Sequence, residues 1–88
     1  MYYVYVLISL KDYRFYTGYT NNLKGRLKQH NQGLNFSTKS RVPFKLLYYE
    51  VCLNKDDAKA REKYLKSGMG KRYIKNRLKN YLKILLKE

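Results

Sequence analysis

The sequence has one cysteine, one histidine, one proline and no tryptophan, and only six of its 88 residues are acidic. A single cysteine, Cys52, excludes a disulfide framework, and with one histidine it excludes the usual His/Cys zinc sets. A reducing, cytoplasmic setting is the simpler expectation. No stretch approaches the ~20 apolar residues of a membrane span. The apolar start, Met1 to Ile8, has no basic leader and is about half the length of a secretory segment, so no membrane association is expected. Against the six acids stand 20 Lys and Arg, a net charge of +14. That excess excludes an ordinary acidic enzyme acting on a cationic substrate and makes a polyanion the expected partner. Apolar residues make up 44% of the chain, which points to a packed domain and not a disordered basic tail. At this length the chain has room for one domain, residues 1–88, with a thin core.

Tyr2 to Leu10 is rich in β-branched and aromatic residues and apolar on both faces, which predicts a central strand. Lys11-Asp12-Tyr13-Arg14 reads as a turn, and Phe15 to Thr20 as a second strand in an antiparallel hairpin. Gly18 weakens that strand unless a backbone or ligand approaches closely there. Thr20-Asn21-Asn22 supplies cap chemistry for a helix carrying Leu23 and Leu27, stopped near Asn31-Gln32-Gly33. Leu34 to Pro43 reads as a loop. Phe44 to Leu53 is a third strand with Leu47, Tyr49 and Val51 on one face. Asn54 caps a helix that runs to about Lys66, where Ser67-Gly68-Met69-Gly70 breaks it. Ile74, Leu78, Leu82 and Leu85 then predict a last amphipathic helix lying on the sheet. The expected fold is α/β, a central three-stranded antiparallel sheet flanked by helices in the order β-β-α-β-α-α.

Three groups of residues bear chemistry. Arg26 and His30 stand four apart on one helix and share a face. They form either a phosphate-holding and proton-relaying pair or a solvated basic rim. Tyr3 and Tyr5 share one face of the first strand, and antiparallel pairing is expected to bring Tyr16 near Tyr3 or Tyr5, either as packing or as phenols beside an Arg that bond a phosphate, one with a lowered pKa acting as a base. Among the acids, Asp12, Asp56, Asp57 and Glu88 are a turn, helix-start or terminal residues, which leaves Glu50 and Glu62. Glu62 either pairs with Lys66 at i,i+4 or holds a single divalent ion with water and phosphate as the other ligands. Paired carboxylates for a two-metal cluster are absent. The loop Ser37-Thr38-Lys39-Ser40-Arg41 has donors suited to a nucleic-acid backbone. From Lys59 onward eleven Lys and Arg face two acids, which makes Lys71, Arg72 and Lys75 candidates for phosphate contact. Asn76 and Asn80 read as solvated, and Cys52 as a small hydrophobe within the third strand.

In this order, Tyr3-Val4-Tyr5, Tyr16-Thr17-Gly18, the Arg26 and His30 spacing and the segment Ala58 to Lys66 resemble the GIY-YIG nuclease superfamily, in particular its small stand-alone bacterial members. The same module occurs in the repair excinuclease subunit. The likeness covers residues 2 to 79. Tyr3 stands at the first motif's Gly and Thr17 at the second motif's Ile. The resemblance implies an endonuclease that hydrolyses DNA phosphodiester bonds in repair or processing, using one Mg²⁺ or Mn²⁺. It implies Tyr5 as general base or assistant to the attacking water, with His30 taking up its proton. It further implies Tyr16 on the scissile phosphate, Arg26 on the phosphoryl charge and Glu62 on the metal. Lys39, Arg41, Lys71, Arg72 and Lys75 are the nucleic-acid-binding candidates, and oligomeric state is left open. A non-catalytic nucleic-acid-binding module on the same scaffold is the alternative.

Overall fold

The computed structural model describes residues 1–86; Glu88, counted above among the acids, lies outside the described residues. The chain forms β1 (Tyr2–Ser9), β2 (Phe15–Thr20), α1 (Leu23–Asn31), a 3₁₀ turn (Lys39–Arg41), β3 (Phe44–Cys52), α2 (Lys55–Lys66), α3 (Gly68–Arg77) and α4 (Lys79–Leu86). The sheet order is β2-β1-β3 with both pairings antiparallel. The strand that is apolar on both faces therefore takes the middle place. Val4 to Ile8 are buried on both sides of the sheet. Val4 and Val6 pack with Ala58, Leu65 and Ile74, beneath α2 and α3. Tyr5 and Leu7 pack with Phe44, Leu23 and Leu27, beneath α1. Each large apolar side chain so buried is worth about 1.5–3 kcal/mol.

β3 departs from simple alternation. Its register with β1 slips between Val6 and Leu7, leaving Leu47 as an extra residue. Leu47 thereby joins the α2 side of the core, whereas Tyr49 and Val51 stay half-exposed. The expected common face of Leu47, Tyr49 and Val51 is divided by this bulge, because one inserted residue reverses the period-2 alternation. Cys52 packs against the same core, as a small hydrophobe would.

The break after α2 is Ser67 alone. Its Oγ accepts from Gly70 N and so caps α3, which takes up both glycines in its first turn. A Cβ on Gly70 would overlap the Tyr64 carbonyl and the Leu65 backbone, so the glycine lets α3 start directly under the end of α2. The single last helix is divided at Leu78 into α3 and α4. Ile74 and Leu78 lie on the core as expected, but Ile84 on α4 is exposed.

At the hairpin turn Ser9 is fully buried. Its Oγ accepts from the backbone N of Lys11 and Asp12 and donates to the Arg41 carbonyl at 2.6 Å. Tyr13 N donates to the Ser9 carbonyl, and Tyr13 is held at φ +57°.

Candidate active site

β1 and β2 pair with Tyr5 opposite Gly18. A Cβ on Gly18 would lie 2.5 Å from the Tyr5 Oη and 2.8 Å from its Cζ. The close approach that this glycine serves within the chain is thus made by a side chain of the neighbouring strand. The hydroxyl end of the Tyr5 ring therefore lies against the glycine, on the edge strand β2. Tyr16, two positions along β2, places its ring 6.5 Å from that of Tyr5.

α1 begins where Asn22 Oδ1 accepts from Gly25 N, and it projects Arg26 and His30 onto the same region. His30 is fully buried, which excludes the solvated rim for this residue. Its ring stands 5.0 Å from that of Tyr16 and 6.0 Å from that of Phe44. Both of its nitrogens are engaged: Nε2 lies 3.0 Å from Tyr5 Oη, and Nδ1 lies 2.8 Å from Thr38 Oγ1. Burial, with Arg26 adding to it, holds the His30 imidazole below its ordinary value and therefore neutral. With Nδ1–H donating to Thr38, Nε2 is left bare to accept the Tyr5 O–H.

The Tyr5 phenol is pushed up to about 12, chiefly by burial and then by Tyr16 and Glu62, against the pull of Arg26. The expectation of a tyrosine with lowered pKa is thereby corrected for Tyr5, because burial outweighs the one cation nearby. The phenol keeps its proton at neutral pH and holds it against a bare imidazole nitrogen.

Glu62 comes from α2, on the opposite face of the sheet, and reaches the same place around the β2 edge. A cleft of about 440 Å³ there is lined by Tyr5, Tyr16, Gly18, Arg26 and Glu62, with Lys55 at its margin. Four of the five expected catalytic residues line this cleft, and His30 stands directly behind Tyr5. Glu62 also pairs with Lys66 at 3.2 Å, so the i,i+4 partner is present as well. Among the described residues no group of three His, Cys, Asp or Glu side chains converges. Glu62 is the only carboxylate among the cleft residues. That donor set suits a hard ion that keeps several waters and takes substrate phosphate as a ligand, as Mg²⁺ does.

Next to Glu62, α2 is fastened to β3. Arg61 donates from Nε and Nη2 to the Glu50 carboxylate at 2.9–3.1 Å, and its guanidinium lies 5.1 Å and 5.2 Å from the ring centres of Tyr64 and Tyr73. Burial pushes the Glu50 carboxyl up, but the bonds from Arg61 and the Tyr48 hydroxyl outweigh it and hold it below its ordinary value.

Of the nucleic-acid candidates, Arg41 is tied to Asp12 at 2.9 Å and donates to the Arg14 and Phe15 carbonyls. That bond pulls the Asp12 carboxyl down to about 2. Lys39 lies over the exposed Phe36 ring. Lys71, Arg72 and Lys75 are exposed on α3, and Asn76 and Asn80 are exposed on α3 and α4. Sequence reasoning missed Thr38, which is fully buried behind His30 although it sits in a run of polar loop residues. Only its place eight residues beyond His30 could have hinted at a partner.

Compared with known proteins, residues 1–75 match the model of the GIY-YIG catalytic domain. A UPF0213 protein of Clostridium perfringens is 49% identical over 75% of this chain and 71% of its own length. One from Oceanobacillus iheyensis is 43% identical over 73% of this chain and 74% of its own. The NMR structure of a UPF0213 protein from Bacillus halodurans is similar with a TM-score of 0.51 at 35% identity, covering 84% of this chain and 82% of that one.

Proposed function

Because the chain belongs to the GIY-YIG catalytic-domain family, alongside the small UPF0213 proteins, we propose that it is a metal-dependent nuclease that hydrolyses DNA phosphodiester bonds, with branched or damaged DNA from repair or processing as its substrates. The observation that carries this reading is the gathering of Tyr5, Tyr16, Arg26 and Glu62 from four elements into one cleft, with neutral His30 behind Tyr5.

In this mechanism the scissile phosphate sits over the β2 edge. Arg26 holds its non-bridging oxygens and meets the charge that grows on them in the transition state. The Tyr16 hydroxyl donates to the same phosphoryl group. The attacking water gives its proton to the Tyr5 oxygen while the Tyr5 proton moves to His30 Nε2. A standing phenolate is never needed, which accommodates a phenol whose pKa is high. Thr38 fixes the His30 tautomer that leaves Nε2 free to accept. Glu62 would hold one Mg²⁺ or Mn²⁺, which supplies Lewis-acid stabilisation of the leaving oxygen when bound.

The test is incubation with supercoiled plasmid and with branched DNA, with Mg²⁺ or with chelator. The wild type is expected to cut only with Mg²⁺. Arg26→Ala and Glu62→Gln should each lose roughly 10²-fold or more in rate while keeping the fold. Binding under both conditions with cleavage in neither would overturn the reading and leave a nucleic-acid-binding module.

A further inference from the structure

A second cleft of about 440 Å³ opens at the other end of β2, lined by Arg14, Phe15, Arg41, Lys71 and Lys75, with Tyr13 and Asp12 at the turn. It straddles the β2 edge as the first cleft does. Arg14 and Gly18 are four residues apart on an extended chain, so the two clefts are about 13 Å apart along the strand.

Lys71, Lys75, Lys79 and Lys83 recur every four residues along α3 and α4. Lys75, Lys79 and Lys83 line an adjoining groove with Tyr13 and Phe15. Lys71 and Lys75 lie one turn apart on α3, and Lys79 and Lys83 one turn apart on α4, about 6 Å within each pair on either side of the break at Leu78. Like charges at i,i+4 destabilise a helix. Among the described residues no acid forms an ion pair with any of the four.

Tyr13 lines both the cleft and the groove. It is 57% exposed and sits at φ +57°, in the left-handed region that a bulky side chain rarely adopts. Such a conformation persists only where the surroundings over-determine it. Here Ser9 does so through its three Oγ bonds and the Tyr13 N–H bond to its carbonyl. A strained turn thus holds an aromatic ring out in solvent between rows of cations.

We propose that this cleft is a second nucleic-acid site, in which an unpaired nucleotide of the DNA strand stacks on Tyr13 while Lys71, Lys75, Lys79 and Lys83 hold the phosphates beside it. An exposed aromatic face amid cations suits an unpaired base, whereas a paired base has no free face to offer. The site rests on the nuclease reading for its purpose, since the strand it holds is the one that continues along β2 to the scissile phosphate.

The experiment is fluorescence anisotropy with a labelled single-stranded oligothymidine and a blunt duplex of equal length. Tyr13→Asn tolerates the left-handed backbone and removes the ring. It is expected to weaken single-strand binding about tenfold, leave duplex binding unchanged and keep the melting temperature at or above the wild-type value. Tyr13→Trp should restore single-strand binding. Lys71→Gln with Lys75→Gln should weaken both ligands and flatten the single-strand salt slope by about 1.4. Equal loss for single strand and duplex in Tyr13→Asn, or no loss in either, would overturn the proposal. If the wild type cuts nothing but Tyr13→Asn still loses single-strand binding, the nuclease reading falls and this site stands. If the wild type cuts and Tyr13→Asn binds normally, the converse holds.

Discussion

Gly18→Ala adds one methyl group and should damage the protein at two levels. The new carbon would stand 2.5 Å from the Tyr5 Oη, 2.8 Å from Cζ and 3.2 Å from Cε2. Real contacts are not that short, so the ring must shift. It has little room, being 1% exposed with His30 3.0 Å from its hydroxyl. Overpacking of this kind costs about 1–3 kcal/mol. At about 2 kcal/mol, a domain of this size should melt about 8–16 °C lower. Displacing the hydroxyl by about 1 Å should also cost cleavage roughly 10²-fold. Thermal melts and plasmid cleavage read the two effects separately. Tyr5→Phe removes the atom nearest the new methyl group. Gly18→Ala should then be cheaper in the Tyr5→Phe background than in the wild type, with a coupling of at least about 0.5 kcal/mol. Equal cost in both backgrounds, or a Gly18→Ala protein with wild-type melting and rate, would refute the idea that the glycine exists to seat this phenol.

Two further predictions concern the groups behind that phenol. His30 has a depressed folded-state pKa, so below about pH 6.5 the unfolded chain takes up a proton that the native state refuses. Its contribution to stability should be full above that pH and lost as pH falls through the folded value; the acid limb of cleavage should likewise lie below 6.5. Melting temperature measured against pH for wild type and His30→Gln checks this, and identical curves would contradict it. Thr38→Val keeps the shape but strands the buried His30 Nδ1–H. A loss of about 1–3 kcal/mol is expected, with slower cleavage, and unchanged urea unfolding would show that the bond carries no weight.

Much of this fold was readable from pattern. The doubly apolar Tyr2–Leu10 run went to the centre of the sheet, and the Asn22 and Asn54 caps marked where α1 and α2 begin, because both signals are local. The division at Leu78 was not readable, since Ile74, Leu78, Leu82 and Leu85 keep helical spacing straight across it. Nor was the bulge at Leu47, a matter of register between strands far apart in sequence. The residues of the candidate site were legible as types in order. What joins them was not: His30 is buried because Thr38 and Phe44 close over it, and Glu62, on the far side of the sheet, comes to the Tyr5 cleft only around the β2 edge. Arg41 looked like a free phosphate ligand, but its tie to Asp12 depends on a contact 29 residues away.

The Arg61 clamp acts as a set-screw on α2. Successive residues step about 100° around a helix axis, so fixing the azimuth of Arg61 fixes that of Glu62. Ala58 and Leu65 press α2 onto the sheet, but apolar contact is non-directional and would let the helix roll. A roll of about 20° at a side-chain radius of about 6 Å carries a carboxylate roughly 2 Å sideways. Working sites tolerate only about 0.5 Å of such error. The forked bond to Glu50 sets the angular phase of α2, and with it the arc on which the Glu62 carboxylate can meet the cleft.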